Sequence, residues 1–264
     1  MKDKKIAIIG CGNLGLSILN GLLSKNIPAL NITATRRKIN LLDHLKGTGV
    51  QLTSDNAKAV SESEIIIVAL KPYNILEVLA DLHKYFDPSK HILVSLATGI
   101  SLKQIQDTVK TDLPIFRAMP NTGADVGMSM TCMCSNSNDV KASNAVKYCF
   151  DAIGESIIID ESLMDAATVL GACGIAYVLR FIRGMIQGGI QIGFDSRTAT
   201  NIVTHTVMGA AELLIKKNNH PEFEIDKVTT PKGCTIAGLN EMEHNGFSSA
   251  LIKGIVTSFD QIDK

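Results

Sequence analysis

The chain has 264 residues, 45% of them apolar, with 26 basic side chains against 26 acidic ones. A zero net charge leaves no electrostatic footprint for a nucleic acid or an anionic membrane surface, and the apolar fraction suffices for a sizeable core in one large domain or two small ones. Cys11, Cys132, Cys134, Cys149, Cys173 and Cys234 form no C-x-x-C pair and no cysteine–histidine cluster, so neither a zinc site nor a disulfide framework is indicated. Most of them sit in apolar runs and read as small buried residues of a protein kept reduced. The opening Met1-Lys-Asp-Lys-Lys5 has the form of neither a signal peptide nor a transit segment, and a cytoplasmic location is expected.

The apolar run Ile6–Ile9 predicts a buried strand. It ends in Gly10-Cys-Gly12-Asn13-Leu14-Gly15, and a helical pattern follows (Leu14, Ile18, Leu19, Leu22, Leu23). Strand, Gly-x-Gly-x-x-Gly and helix in this order form a dinucleotide-binding arrangement. Gly10 allows the tight turn, Gly12 lets the backbone approach a pyrophosphate, and Gly15 lets the helix pack on the strand. The helix N-terminus then offers free N–H groups and a positive dipole end.

A second strand over Ile32–Thr35 ends in Arg36-Arg37-Lys38, and no Asp or Glu lies between Gly15 and Asp43. A carboxylate there binds the ribose 2′-hydroxyl of NAD, whereas guanidinium groups bind a 2′-phosphate. NADP(H) is therefore expected over NAD(H), unless Arg36 and Arg37 only cover a solvated strand end. Further strands are predicted at Val50–Leu52, Glu64–Leu70, Ile92–Leu96, Ile115–Met119, Gly127–Cys134 and Ser156–Ile159. Alternation with helices indicates a parallel sheet with crossovers. Lys71 closes the Glu64–Leu70 run; it either contacts the nicotinamide half of the cofactor or merely ends the strand.

After Asp160 the period changes. Leu163 to Ile192 carries apolar residues at helical spacing on most sides, as in a core or interface helix. Its uncharged stretch, Ala166–Leu179, is shorter than the roughly 20 residues of a membrane span. Ser196 is placed to cap a second helix, a third runs from about Thr235 to Glu243, and Ser248 is placed to cap a fourth. The expected architecture is α/β: a doubly wound Rossmann-type domain over residues 1–159, then an all-helical domain over 160–264. Helices this apolar make a poor free-standing domain, so a homodimer through them is expected, with a higher oligomer of dimers left open. The six histidines show no metal spacing and read as surface or packing residues.

In Val228-Thr-Thr-Pro-Lys-Gly-Cys-Thr235, proline and glycine set a tight loop before a helix. The N–H groups of Gly233, Cys234 and Thr235 suit a carboxylate, although on the local pattern alone Thr230 or Thr235 acting as a simple N-cap is the favoured explanation.

Three stretches together resemble the pyrroline-5-carboxylate reductases, which complete proline biosynthesis. They are Arg117-Ala-Met-Pro-Asn-Thr122, Gly171-Ala-Cys-Gly-Ile-Ala-Tyr177, and Thr229–Thr235 with Ile236-Ala-Gly-Leu after it. The resemblance covers nearly the whole chain and implies a Rossmann domain followed by a helical dimerisation domain. It places cofactor contacts on Gly10–Gly15, Thr35, Arg36, Asn56, Ala69-Leu70-Lys71-Pro72 and Ala97-Thr98. Substrate contacts fall on Glu161 and on Gly233-Cys234-Thr235, with Thr235 facing the ring nitrogen as the catalytic hydroxyl. In homologous dimers the loop and the facing nicotinamide can come from different subunits. The chain departs from the family pattern at Cys173 and Ile175, where serine and proline are usual. A less kinked helix is expected without the proline. Gly123 stands where the family has proline. Lys232 stands where glycine is commoner, and either adds a cation near the substrate carboxylate or points to water.

The implied reaction is hydride transfer from NADPH to the C=N carbon of 1-pyrroline-5-carboxylate, with NADH possible. Related imines or substituted acids remain alternatives. A β-hydroxyacid dehydrogenase resembles this plan but carries a catalytic lysine on the long helix, and no lysine occurs from Tyr148 to Ile215. A non-catalytic NADP-binding regulatory protein is the third reading.

Overall fold

The computed structural model describes residues 3–262, which divide into two compact units, one running to Cys173 and one of Gly174–Gln261. In the first unit the strands are β1 (Ile6–Ile9), β2 (Ile32–Thr35), β3 (Gln51–Thr53), β4 (Ile65–Val68), β5 (Ile92–Ser95), β6 (Ile115–Met119), β7 (Ser129–Ser135) and β8 (Gly154–Ile158). They form one eight-stranded sheet in the order β3-β2-β1-β4-β5-β6-β7-β8. Helices α1 (Asn13–Ser24), α2 (Asn56–Ser61), α3 (Pro72–Leu82), α4 (Leu102–Val109) and α5 (Val140–Phe150) connect them.

The short apolar strands are buried on both faces, as parallel strands under helices must be. Ile6, Ile8, Ile65 and Ile67 pack on one side with Ile18, Leu22 and Phe150. Ala7, Ile9, Ile66 and Val68 pack on the other with Ile75, Leu79 and Ile105. The register Ile6↔Ile32 and Ile6↔Ile65 aligns the ends of β2, β1 and β4, and so places the loops that follow them side by side.

The expectation of a parallel sheet fails at one end. β7 runs antiparallel to β6, with Arg117 opposite Cys134, and β8 then runs parallel to β7. Between β6 and β7 the chain makes only a turn of 3₁₀ helix, Thr122–Val126, and a short connection of this kind can join only antiparallel neighbours.

The change of pattern near residue 160 is not where the compact units part. Met164 and Val169 are buried, and Met164 lies within the core of the sheet-bearing unit. The side-chain amide of Asn121 also donates to the carbonyl of Gly171 at 3.3 Å. This packing holds the segment through Cys173 in the first unit. The segment comprises a 3₁₀ turn at Glu161–Leu163, α6 (Met164–Ala167) and a π-helical stretch at Thr168–Cys173. The expected long helix is therefore not uniform: its ladder widens just where the 171–177 motif begins. The Thr168 hydroxyl bonds back to the Met164 carbonyl at 2.9 Å, a competitor of regular helix bonding.

The second unit holds α7 (Gly174–Gln191), α8 (Ser196–Lys217), α9 (Pro221–Val228), α10 (Cys234–His244) and α11 (Phe247–Phe259). Asp195, rather than Ser196, caps α8, accepting from the N–H groups of Arg197 and Thr198 at 2.9 and 3.0 Å. Gly246, in the left-handed region at φ 78°, precedes α11 in place of a Ser248 cap. Helix α9 has no counterpart among the expected elements, although Pro221 at its first turn behind His220 is an ordinary start signal. Only Ile186, Ala199 and Val203 form a buried cluster here. Val178, Leu179, Phe181, Ile192, Met208 and Ile252 are exposed. The helical run Glu161–Gln191 reaches 31 residues and contains an 18-residue window with a mean hydropathy of 1.6, enough by length and composition to cross a membrane. The uncharged stretch alone did not meet that length. Arg180 and Arg183 interrupt its second half.

Candidate active site

The glycine loop has the geometry that a dinucleotide needs. Gly10 sits at φ +85°, and a Cβ there would meet Leu70 Cδ2 at 2.4 Å and the Ala69 carbonyl at 3.0 Å. A Cβ on Gly12 would meet nothing of the protein closer than the Gly10 carbonyl at 4.0 Å, so what it would fill is the open space of the crevice. A Cβ on Gly15 would press on Ile8 Cγ2 at 3.2 Å, where α1 crosses β1. Gly12 caps α1 without a side-chain acceptor, which leaves the first N–H groups of that helix free for an anion. These residues fit a bound pyrophosphate.

Beside the loop lies a crevice of about 590 Å³. Gly12, Asn13, Leu14 and Gly15 form one wall; Ala69, Leu70, Lys71, Pro72 and Thr98 follow at the ends of β4 and β5. Nine of the expected cofactor positions are thus brought to one cavity at the carboxyl ends of the strands. Lys71 precedes α3 with Pro72 in its first turn, so it both ends the strand segment and lines the crevice.

The other expected cofactor residues stand differently. Thr35 is buried, and its hydroxyl accepts from the Gly10 N–H at 3.2 Å and donates to Asn56 Oδ1 at 2.6 Å. Its side chain braces the glycine loop from behind. Ala97 is buried in the core, and only its neighbour Thr98 faces the crevice. Arg36 is half-buried at the end of β2, Arg37 is exposed, and among the described residues neither guanidinium has an ion-pair partner. Burial pushes the Cys11 thiol up to about 11, a rise that the charge of Arg36 opposes, and the Cys11 N–H donates to the Thr35 carbonyl at 2.7 Å, which sets residue 36 beside the glycine loop.

Pro120, Asn121, Thr122 and Ala172, which belong to the quoted motifs but carry no expected contact, also line the crevice, as do Ser17, Leu96, Ala124 and Asp125, which lie outside the motifs. The segment after β6 follows a strand end, as do the loops after β4 and β5 on which the resemblance places cofactor contacts. Ser17 lies one helical turn beyond Asn13, on the same face.

Glu161, expected to touch the substrate, is engaged within the first unit. Its Oε1 accepts from the Leu102 N–H at 2.7 Å and from Arg117 Nη1 at 3.0 Å. Arg117 is buried, and the carboxylates of Glu161 at 3.0 Å and Asp165 at 3.9 Å neutralise its charge in the core. Among the cysteines, Cys11, Cys134 and Cys149 are buried as expected; Cys132 and Cys173 are partly exposed and Cys234 is exposed.

The loop before α10 lies in the second unit. Gly233 is the residue that precedes the helix, and no side chain caps it, so neither Thr230 nor Thr235 acts as an N-cap. Gly233's own N–H is spent on the Thr230 carbonyl at 2.9 Å, which closes a turn. Of the three amides expected to converge, those of Cys234 and Thr235 remain, in the first turn where helical N–H groups have no internal acceptor. A Cβ on Gly233 would meet Thr230 Oγ1 at 2.5 Å, so the turn requires glycine. Lys232 is exposed and held in the left-handed region at φ 60°. For a residue with a Cβ that conformation costs roughly 1–2 kcal/mol, which accounts for glycine being the commoner choice.

Residues 161–264 match the family model described as pyrroline-5-carboxylate reductase dimerisation, and residues 5–99 match that described as NADP oxidoreductase, coenzyme F420-dependent. Pyrroline-5-carboxylate reductase 2 of Dictyostelium discoideum is 40% identical over 99% of this chain and 93% of its own length. Pyrroline-5-carboxylate reductase 1 of the same organism is 44% identical over 98% of this chain, which spans only about half (49%) of that protein. The crystal structure of Plasmodium falciparum pyrroline carboxylate reductase with NADP bound has a TM-score of 0.88 and 27% identity, covering 99% of this chain and 98% of its own. The chain belongs to the pyrroline-5-carboxylate reductase family.

Proposed function

We propose that this protein reduces the cyclic imine 1-pyrroline-5-carboxylate to proline with NADPH. The observation that carries the reading is that one chain holds both a glycine-loop crevice fitted to a dinucleotide and, before α10, an uncapped helix start beside a threonine hydroxyl. NADPH, when bound, supplies the hydride. The chain's own residues do the rest. The free N–H groups at the start of α1 hold the pyrophosphate. Arg36, unpaired beside the glycine loop, binds the 2′-phosphate and favours NADPH over NADH.

The Cys234 and Thr235 amides hold the substrate carboxylate. The Thr235 hydroxyl, which among the described residues has no hydrogen-bond partner, donates to the ring nitrogen. A protonated cyclic imine accepts hydride readily, so holding it in place supplies most of the acceleration. Glu161 fixes Arg117 and the start of α4 within the sheet-bearing unit.

The apolar faces of α7, α8 and α11 support assembly into a homodimer through the helical unit, and free cysteines suit a cytoplasmic protein. The test is oxidation of NADPH, followed at 340 nm, on adding pyrroline-5-carboxylate. Turnover with proline as product supports the reading; NADPH binding without turnover would make the chain a cofactor-binding regulatory protein.

A further inference from the structure

The first unit carries a second charge in its crevice. Asp125 stands in the 3₁₀ turn between β6 and β7 and lines the cavity with Thr122 and Asn121. Its Oδ1 accepts a hydrogen bond from the hydroxyl of Ser17, which is buried on α1. Among the described residues it has no cationic partner.

The turn that carries it is held from several sides. The Asn121 N–H donates to Ser129 Oγ at 3.0 Å, the Gly123 N–H to Asn121 Oδ1 at 2.9 Å, and the Met128 N–H to the Gly123 carbonyl at 2.9 Å. A Cβ at residue 123 would meet the Met128 carbonyl at 2.6 Å. Proline there would bring that Cβ and remove the donated N–H, so Gly123 is part of what fixes the turn. Asp125 is therefore a placed carboxylate, aimed at α1 across 108 residues of sequence.

An unpaired carboxylate in a crevice for a polyanionic coenzyme is unfavourable wherever phosphate lies. It is favourable at one end only. Arg36, at the end of β2, marks the side of the 2′-phosphate. The other half of the coenzyme then runs toward the ends of β4, β5 and β6, where Thr98 and Asn121 lie, and the turn after β6 brings the exposed Asp125 to the same crevice, held against α1 by Ser17. The nicotinamide ring is neutral in NADPH and carries a positive charge in NADP+, and that charge develops as hydride leaves.

We propose that Asp125, oriented by Ser17, is an electrostatic determinant at the nicotinamide end of the crevice, favouring the cationic ring of NADP+ over the neutral ring of NADPH. It thereby stabilises the charge that grows as hydride departs. This inference rests on the reading that the crevice holds NADP(H). Lys71, the cation of the same crevice, opposes the effect, and the observable is the balance of the two.

The two coenzymes differ in the charge of the ring, so the ratio of their affinities isolates it from any loss of loop structure. Calorimetric titration of the ligand-free protein with NADP+ and with NADPH gives both dissociation constants. In Asp125→Asn the ratio Kd(NADP+)/Kd(NADPH) rises about fivefold, a magnitude expected for unit charges several ångströms apart in a partly solvated site. Asp125→Glu stays near the parent ratio, and Ser17→Ala shifts it in the same direction by less. An unchanged ratio in Asp125→Asn, or an equal weakening of both coenzymes, overturns the proposal. Should the parent protein bind neither coenzyme, the reading of the crevice itself fails.

Discussion

The two compact units solve the problem of burial differently. The sheet-bearing unit buries its strands on both faces: Ile6, Ile8, Ile9, Ile65, Ile66 and Ile67 are fully enclosed within the chain. The helical unit, of comparable apolar character, encloses only Ile186, Ala199 and Val203 and leaves Leu179 at 58% and Ile192 at 78% exposure. A region that cannot bury its own apolar faces takes its stability from association. Family membership agrees, since the matched family model for this half is one of dimerisation. Hydropathy alone would have read the same residues as a membrane helix.

The strongest way to break this comparison is a charge on the exposed apolar face. Leu179→Glu is expected to cost the assembly about 3 kcal/mol or more and to yield monomers by sedimentation at micromolar concentration. Its counterpart in the sheet, Ile67→Ala, removes a fully buried side chain and should cost about 2–5 kcal/mol. That loss should leave the oligomer intact. Melting temperatures measured across a protein dilution series separate the two, because only the helical unit's stability depends on concentration. Equal dilution dependence in both variants would refute the division.

The next effect concerns chemistry. Thr235→Ala should lower kcat about 100-fold while the NADPH dissociation constant stays put, because the hydroxyl belongs to the helical unit and the coenzyme to the other. A parallel loss of coenzyme binding would show that the two functions are not so divided. Smaller again is Arg36→Ala, expected to reduce kcat/KM for NADPH about 10-fold and leave NADH little changed. Equal values for both coenzymes in parent and variant would remove the 2′-phosphate role.

The smallest effect is a pH slope in the sheet-bearing unit. Burial holds His91 below its ordinary value, with its Nδ1 accepting from the Asp87 N–H at 3.0 Å. The unfolded chain therefore takes up this proton at higher pH than the folded one. The contribution is complete above the unfolded value of 6.5 and is lost as pH falls below it toward the depressed folded value. His91→Gln should flatten that part of the melting-temperature profile; an unaltered slope would mean that other groups set it.

Much of the nucleotide-binding half was legible because its signals are local. An apolar tetrapeptide, three glycines and a helical period lie within twenty residues, and each glycine's role depends on neighbours in sequence. The direction of β7 was not legible, since Gly127–Cys134 has the same apolar character whichever way it runs. Nor were the directions of Thr35 and Ala97. Thr35 ends β2 and Ala97 follows β5, yet Thr35 turns toward Asn56 and Ala97 into the core. Caps were off by a residue or more at α8 and α11, where adjacent polar and glycine residues compete for one position. The attachment of Glu161 to Arg117 joins residues 44 apart and leaves no local trace in the sequence.

By itself, the sequence determined the strand–glycine–helix unit, the helical character after Asp160 and the tight turn before α10. All three rest on interactions between residues a few positions apart. Only the tertiary structure decided that Met164 and Val169 belong to the first unit, that Glu161 neutralises a buried arginine, and that Ser17 meets Asp125. Those are contacts between residues distant in sequence, and they exist only once the sheet order has brought the ends of its strands together.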